Sequence, residues 1–266
     1  MEFGTIKFEE PENGIGLITL NRPDKLNAIN LEMLEDFQTL FRELTNRPEV
    51  RVVILRGEGR GFCSGADLMD QRMLQESPEL YKDAATFLEG VQKKYSQLIV
   101  NMRLLPQPII AVVQGAAAGG GFSMALAADV IIAGPRAKFI ASFINIGLSG
   151  GELGTTYFLP RLVGPARAAE ILMTGRKVDA AEADRIGMIS RLVDEDKLMD
   201  TAMDTARQML TKSYLGLRQT KEAFRLNLNA SSLEAAIELE NRNQAICAFT
   251  SAFREAVEAF TGVKMK

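Results

Sequence analysis

The sequence contains no histidine. That absence excludes every Ser-His and Cys-His mechanism and every metal site built on imidazole. Proton transfer in such a chain falls to a carboxylate, a lysine, a tyrosine or a cysteine. Cysteine is scarce as well: Cys63 and Cys247 are too few for a disulfide framework or a zinc cluster. Basic residues are not in excess. Lys and Arg number 31 against 34 Asp and Glu, a formal net charge of −3. That balance argues against nucleic acid or an anionic membrane as the main partner. No apolar run approaches the length of a membrane span. Met1-Glu2-Phe3-Gly4 opens with an acid and has no apolar signal region. The expected location is the cytoplasm.

What is present is ordinary globular composition, 47% hydrophobic and 24% charged over 266 residues. This suffices for one large domain, with or without an appendage. Thr5 to Glu9 and Gly14 to Leu20 read as a hairpin around Pro11-Glu12-Asn13-Gly14. Asn30 is placed to cap a helix from Leu31 to about Leu44, with an apolar stripe of Leu31, Leu34, Phe37, Leu40 and Phe41. Arg51 to Leu55, Pro108 to Val113, Val130 to Ala133 and Lys138 to Ser142 read as strands. Pro78 to Leu104 reads as one long helix, stopped by Pro106 and Pro108. Asp179 caps Ala180 to Arg185, Gly187 closes that helix, and Met188 to Val193 forms a short strand. Ser231 with Glu234 gives a capping-box pattern. Strand patterns end near residue 195. The expected organisation is therefore a core over 1–195 and a helical region over 196–266.

Three glycine-rich segments each follow a strand: Gly57 to Leu68, Gly115 to Asp129, and Gly147 to Gly154. In the second, Gly119-Gly120-Gly121 opens a small-residue helix. Glycines there let the backbone approach a ligand and leave the first helical N–H groups free, with the positive end of the dipole outward. Such a turn suits a phosphate or a developing oxyanion. Tight strand–helix packing needs the same glycines, so the residues alone leave both readings open.

Asn21-Arg22-Pro23 through Leu26-Asn27-Ala28, Phe62-Cys63-Ser64-Gly65-Ala66-Asp67-Leu68, Gly115 to Asp129, and Leu159-Pro160-Arg161-Leu162-Val163-Gly164 occur in that order. Over nearly its whole length the chain resembles the enoyl-CoA hydratase/isomerase (crotonase) superfamily. The resemblance implies an α/β fold, a ClpP/crotonase-like spiral of ββα units, with a helical C-terminal trimerisation region. It implies a homotrimer or a dimer of trimers. The substrate it implies is an acyl-CoA thioester, with no metal and no other cofactor, since CoA enters as part of the substrate. By motif, the backbone N–H groups of Ala66 and Gly120 hold the thioester oxygen as it becomes an enolate. Lys25, Leu26, Ala28, Ser64, Gly65, Asp67 and Leu68 resemble the parts that cover the CoA nucleotide. Lys25 could meet a CoA phosphate, and Asp67 could instead brace the turn. Met69, Met73 and Leu74 read as pocket wall or core.

The acids depart from the hydratase pattern. Ser123 stands three residues after the middle glycine, where a typical hydratase carries a glutamate, and Phe143 stands at its second glutamate. Glu152 lies eight residues before Pro160, the spacing at which isomerase-type members carry their acid–base carboxylate. One extra residue lies between Gly147 and Glu152 compared with their usual loop. The other reading of Glu152 is a helix-opening acid stabilised by the dipole. The expectation is an acyl-CoA isomerase with Glu152 as acid–base. A hydratase using Glu152 with water, or a non-catalytic acyl-CoA-binding relative, are the alternatives.

Overall fold

The computed structural model describes residues 2–72, 75 and 77–264. Its centre is a six-stranded sheet in the order β1-β2-β3-β4-β6-β9, with β1 Ile6–Glu12, β2 Ile15–Leu20, β3 Val52–Gly57, β4 Ile109–Val113, β6 Val130–Ala133 and β9 Arg191–Leu192. Only the β1–β2 pair is antiparallel; the other pairings are parallel. The parallel strands are apolar at almost every position, as strands covered on both faces must be. One set of alternate residues, with Ile54, Ile110, Val112 and Ile132, packs against Leu198, Ala202 and Ala206 of helix α8 (Leu198–Leu210). The opposite set, with Val53, Leu55, Ala111 and Val113, faces the main core.

A second layer is shorter. Strands β5 Ala116–Ala118, β7 Lys138–Ile140 and β8 Lys177–Asp179 form a three-stranded sheet. Isolated parallel bridges, Cys63 to Ala117 and Ile29 to Ala66, extend it away from β7. The chain thus places a strand in the first layer, a short extended piece in the second, then a helix, and repeats. That spiral brings the residues after β3 beside the residues after β4.

Helices fill the inner face. Asn30 caps α1 (Leu31–Thr45), its side chain accepting the Met33 N–H at 3.0 Å, a contact that contributes about 1 kcal/mol. Asp179 likewise caps α7 (Ala180–Arg185) through the Glu182 N–H. The span expected as one helix over Pro78 to Leu104 is broken. A 3₁₀ turn covers Pro78–Tyr81, α2 is only Ala84–Phe87, a π turn covers Leu88–Gln92, and α3 runs Lys93–Leu104. Gly90 lies in the π turn against Leu80; a Cβ there would meet Leu80 Cδ2 at 2.5 Å. Apolar spacing alone does not show such a bulge, because a π turn shifts the face by one residue.

Other boundaries move slightly. β1 runs through Pro11 with an irregular register, so the hairpin turn is only Asn13-Gly14. β9 is limited to two residues, and β7 ends at Ile140. The cap of α10 (Leu233–Ala248) is Ser232 rather than Ser231; its hydroxyl accepts the Ala235 N–H. Beyond α8, helices α9 (Tyr214–Asn227), α10 and α11 (Ser251–Thr261) and the link between the last two carry large exposed apolar side chains, among them Phe249 in that link at 87% and Phe260 of α11 at 92%. Among the described residues no helix is long and apolar enough to cross a membrane.

Candidate active site

The two glycine turns meet. Gly65 adopts φ +99°, and a Cβ on it would lie 2.9 Å from Ala118 O and 3.2 Å from Gly120 N. Glycine is required there both for the dihedral and for the close approach. Across the Ile29–Ala66 bridge, the Ile29 N–H donates to Gly65 O at 2.7 Å and the Asp67 N–H donates to Ile29 O at 2.8 Å. In a parallel ladder this directs the Ala66 N–H to the other side of its strand. No backbone acceptor takes that N–H among the described residues. Gly120 is the first residue of α4 (Gly120–Ala127), so its N–H has no acceptor within the helix. Two fixed backbone donors of this kind can stabilise a negative oxygen without reorganising.

The turn that carries Glu152 approaches the same place from a third direction. Leu153, the next residue, puts its Cδ1 3.5 Å from where a Gly120 Cβ would stand. Leu153 has φ +48° and is followed by Gly154 at φ +82°. This left-handed pair turns the chain sharply before α5 (Thr155–Val163). Glu152 therefore does not open the helix; Gly154 occupies the cap position. The Glu152 N–H donates to Thr155 Oγ1 at 3.1 Å, and the Thr155 hydroxyl donates to Gly150 O at 3.0 Å. Its half-buried carboxylate accepts a hydrogen bond through Oε1 from the Gln92 side-chain amide.

Gln92 was not marked by sequence reasoning. It ends the π turn, sixty residues before its partner, and no local pattern links the two. The residues in place of the hydratase glutamates are also here. Phe143 is buried, with its ring 3.5 Å from the Cβ position of Gly119. Ser123 is fully buried in α4, and its hydroxyl has no partner among the described residues. Ile144, the residue after Phe143, packs at Gly175.

The segments expected at the nucleotide lie side by side. Lys25 ends a 3₁₀ turn and is exposed; Leu26 and Asn27 follow with φ +50° and +55°. The Ser64 N–H donates to Leu26 O at 3.0 Å. Asn27 is buried, its side-chain amide donating to Glu58 O, Gly61 O and Phe62 O. Asp67 is committed to bracing: it pairs with Arg22 at 2.8 Å, while Arg22 also donates to Ala28 O. Leu68 and Met69 are exposed, at 62% and 74%, so Met69 belongs to no core. Met73 and Leu74 lie outside the described residues.

Cys63 packs under this turn. Burial pushes its thiol up to about 12. A thiol reagent is expected to leave Cys63 unmodified in the folded protein and to label it after denaturation, read by mass spectrometry of the peptide. Fast native labelling would mean that the turn opens readily.

The sequence profile described as "Enoyl-CoA hydratase/isomerase" matches residues 10–264. The chain is similar to the protein named "Probable enoyl-CoA hydratase echA12" of Mycobacterium leprae (strain TN), with 41% identity over 96% of this chain and 86% of that one. It is also similar to the 1,2-epoxyphenylacetyl-CoA isomerase of Escherichia coli (strain K12), with 35% identity over 94% and 92%. The crystal structure of a probable enoyl-CoA hydratase/isomerase from Mycobacterium abscessus matches with a TM-score of 0.88 at 34% identity, over 98% of this chain and 97% of that one.

Proposed function

Because this chain belongs to the enoyl-CoA hydratase/isomerase family, and its two-layer spiral is the crotonase fold, we propose that it moves a carbon–carbon double bond in an acyl-CoA thioester. The observation that carries this reading is the turn of Glu152 and Leu153, whose Leu153 side chain packs against Gly120 beside the converged Gly65 turn, with Ser123 and Phe143 at the places of the two hydratase glutamates. Glu152 takes a proton from the carbon between the thioester and the double bond of a 3-enoyl-CoA. The electrons of that C–H bond enter the conjugated enolate, and the thioester oxygen becomes negative against the N–H groups of Ala66 and Gly120. Glu152 returns the proton two carbons further along, leaving the 2-enoyl-CoA. One carboxylate suffices because the group that takes the proton is itself protonated by it and, exchanging in part with solvent, delivers a proton at the second carbon. Lys25, Leu26, Ala28, Ser64, Gly65 and Leu68 form the nucleotide side of the site, with Asp67 bracing the turn through Arg22, and the exposed faces of α9 to α11 support a trimer.

Hydration is the second reading, favoured by the name of the Mycobacterium leprae relative. A panel of 2-enoyl and 3-enoyl thioesters followed by NMR in deuterated water separates them. Isomerisation gives migration of the double bond with deuterium exchange. Accumulation of a 3-hydroxyacyl product at a comparable rate would sink the isomerase reading, and tight binding without any turnover would sink both.

A further inference from the structure

A cavity of about 620 Å³ begins where Leu153 leaves the glycine turns. Ile99 and Leu104 of α3, Phe158 of α5 and Leu226 of α9 line its sides. Its far end is different in kind. Arg103 and Arg225 line it there, and Lys221 is buried just behind. Asp129 pairs with Arg103 at 2.9 Å and with Lys221 at 2.8 Å. Arg225 has no hydrogen bond and no ion pair among the described residues; Glu222, on the same helix, faces Arg242. Arg161, over the Tyr157 ring, is held by Tyr157 O and Asn229 and by no carboxylate. Burial lowers the Lys221 ammonium, Asp129 opposes that shift, and the charges of Arg103 and Arg225 add to it. The cavity therefore ends beside a guanidinium, Arg225, that no carboxylate pairs with among the described residues.

We infer that the site selects acyl-CoA thioesters whose far end carries a carboxylate, with Arg225 as its partner. This rests on the proposed acyl-CoA function and names its substrate class. Ser96, Ile99 and Arg103 fall on one stripe of α3, which begins at its capping residue Gln92. The stripe runs from the Glu152 contact to the cationic end, about 16 Å at 1.5 Å per residue. Allowing for the reach of an arginine side chain, the matching acyl group has roughly eight carbons, which suits a cavity of this size. An unbranched methyl end would leave the Arg225 charge facing hydrocarbon, whereas a carboxylate gains a charge-assisted and potentially bidentate pair.

The test compares octanoyl-CoA with its ω-carboxylated counterpart by calorimetry, and the two corresponding 3-enoyl esters by turnover. The carboxylated ester is expected to bind roughly tenfold more tightly or better. Arg225→Gln is expected to bring the ratio near one, and Arg225→Lys to keep part of it. Equal binding of the two esters by the wild-type protein, or an undiminished ratio in Arg225→Gln, would overturn the inference. If the binding ratio stands but neither 3-enoyl ester is isomerised, the inference holds and the isomerase reading fails.

Discussion

Glu152→Gln is expected to lower the rate of double-bond migration by roughly 10²- to 10⁴-fold, the span that a positioned acid–base group contributes. The substitution changes one atom of the carboxylate and removes its basicity. Its geometry is retained, because the amide oxygen of a glutamine at this position can still accept from the Gln92 amide. The Thr155 contacts that shape the turn are made by the backbone of residue 152 and are untouched. The loss therefore appears in kcat, with KM little changed, as for an interaction needed only in the transition state. Exchange of the substrate α-proton with solvent deuterium falls in parallel. A variant that isomerises within a few fold of wild type would remove Glu152 from the chemistry. The acid–base role would then need another group, and neither Ser123 nor Phe143 offers one.

Parts of this site are legible in sequence and parts are not, for reasons that differ residue by residue. Asn30 and Asp179 are visible because a cap acts on N–H groups two or three residues away. The Gly65 and Gly119–Gly121 turns are visible because backbone demands of this kind exclude other residues. Strand β5 is hidden: Ala116–Ala118 has no apolar alternation and owes its form to Cys63 on one side and β7 on the other. The break in the helix before α3 depends on Leu80 packing against Gly90, and the seat of Glu152 depends on Gln92. Both are contacts across the fold, where periodicity carries no information. The helix start also shifts by three residues past Glu152, because the left-handed Leu153-Gly154 pair takes the place that an acid-opened helix would have.

Asp129→Ala is expected to destabilise the fold by about 3–5 kcal/mol, the cost of leaving a buried partner charge uncompensated. Asp129 opens β6 and serves three donors at once: the Ile109 N–H at 2.8 Å, Arg103 at 2.9 Å and Lys221 at 2.8 Å. Among the described residues Lys221 has only Gln107 O and Met102 O besides it. Removing the carboxylate leaves a buried ammonium on α9, so the anchor between the C-terminal helices and the sheet is weakened first. The loss should appear as a fall in Tm of roughly 6–20 °C for a chain of this size. Its pH dependence has a definite sign. Burial already lowers Lys221 from its ordinary value of 10.5, and Asp129 opposes that shift. Without Asp129 the lysine falls further, so the folded variant binds fewer protons than folded wild type in the window between the two lowered values. Variant stability therefore rises more steeply with pH there, and the gap to wild type narrows as pH approaches 10.5 from below. Denaturant unfolding at a series of pH values measures it. A gap that is small at neutral pH, or that widens as pH rises, would show that Lys221 does not depend on Asp129 for its place in the core.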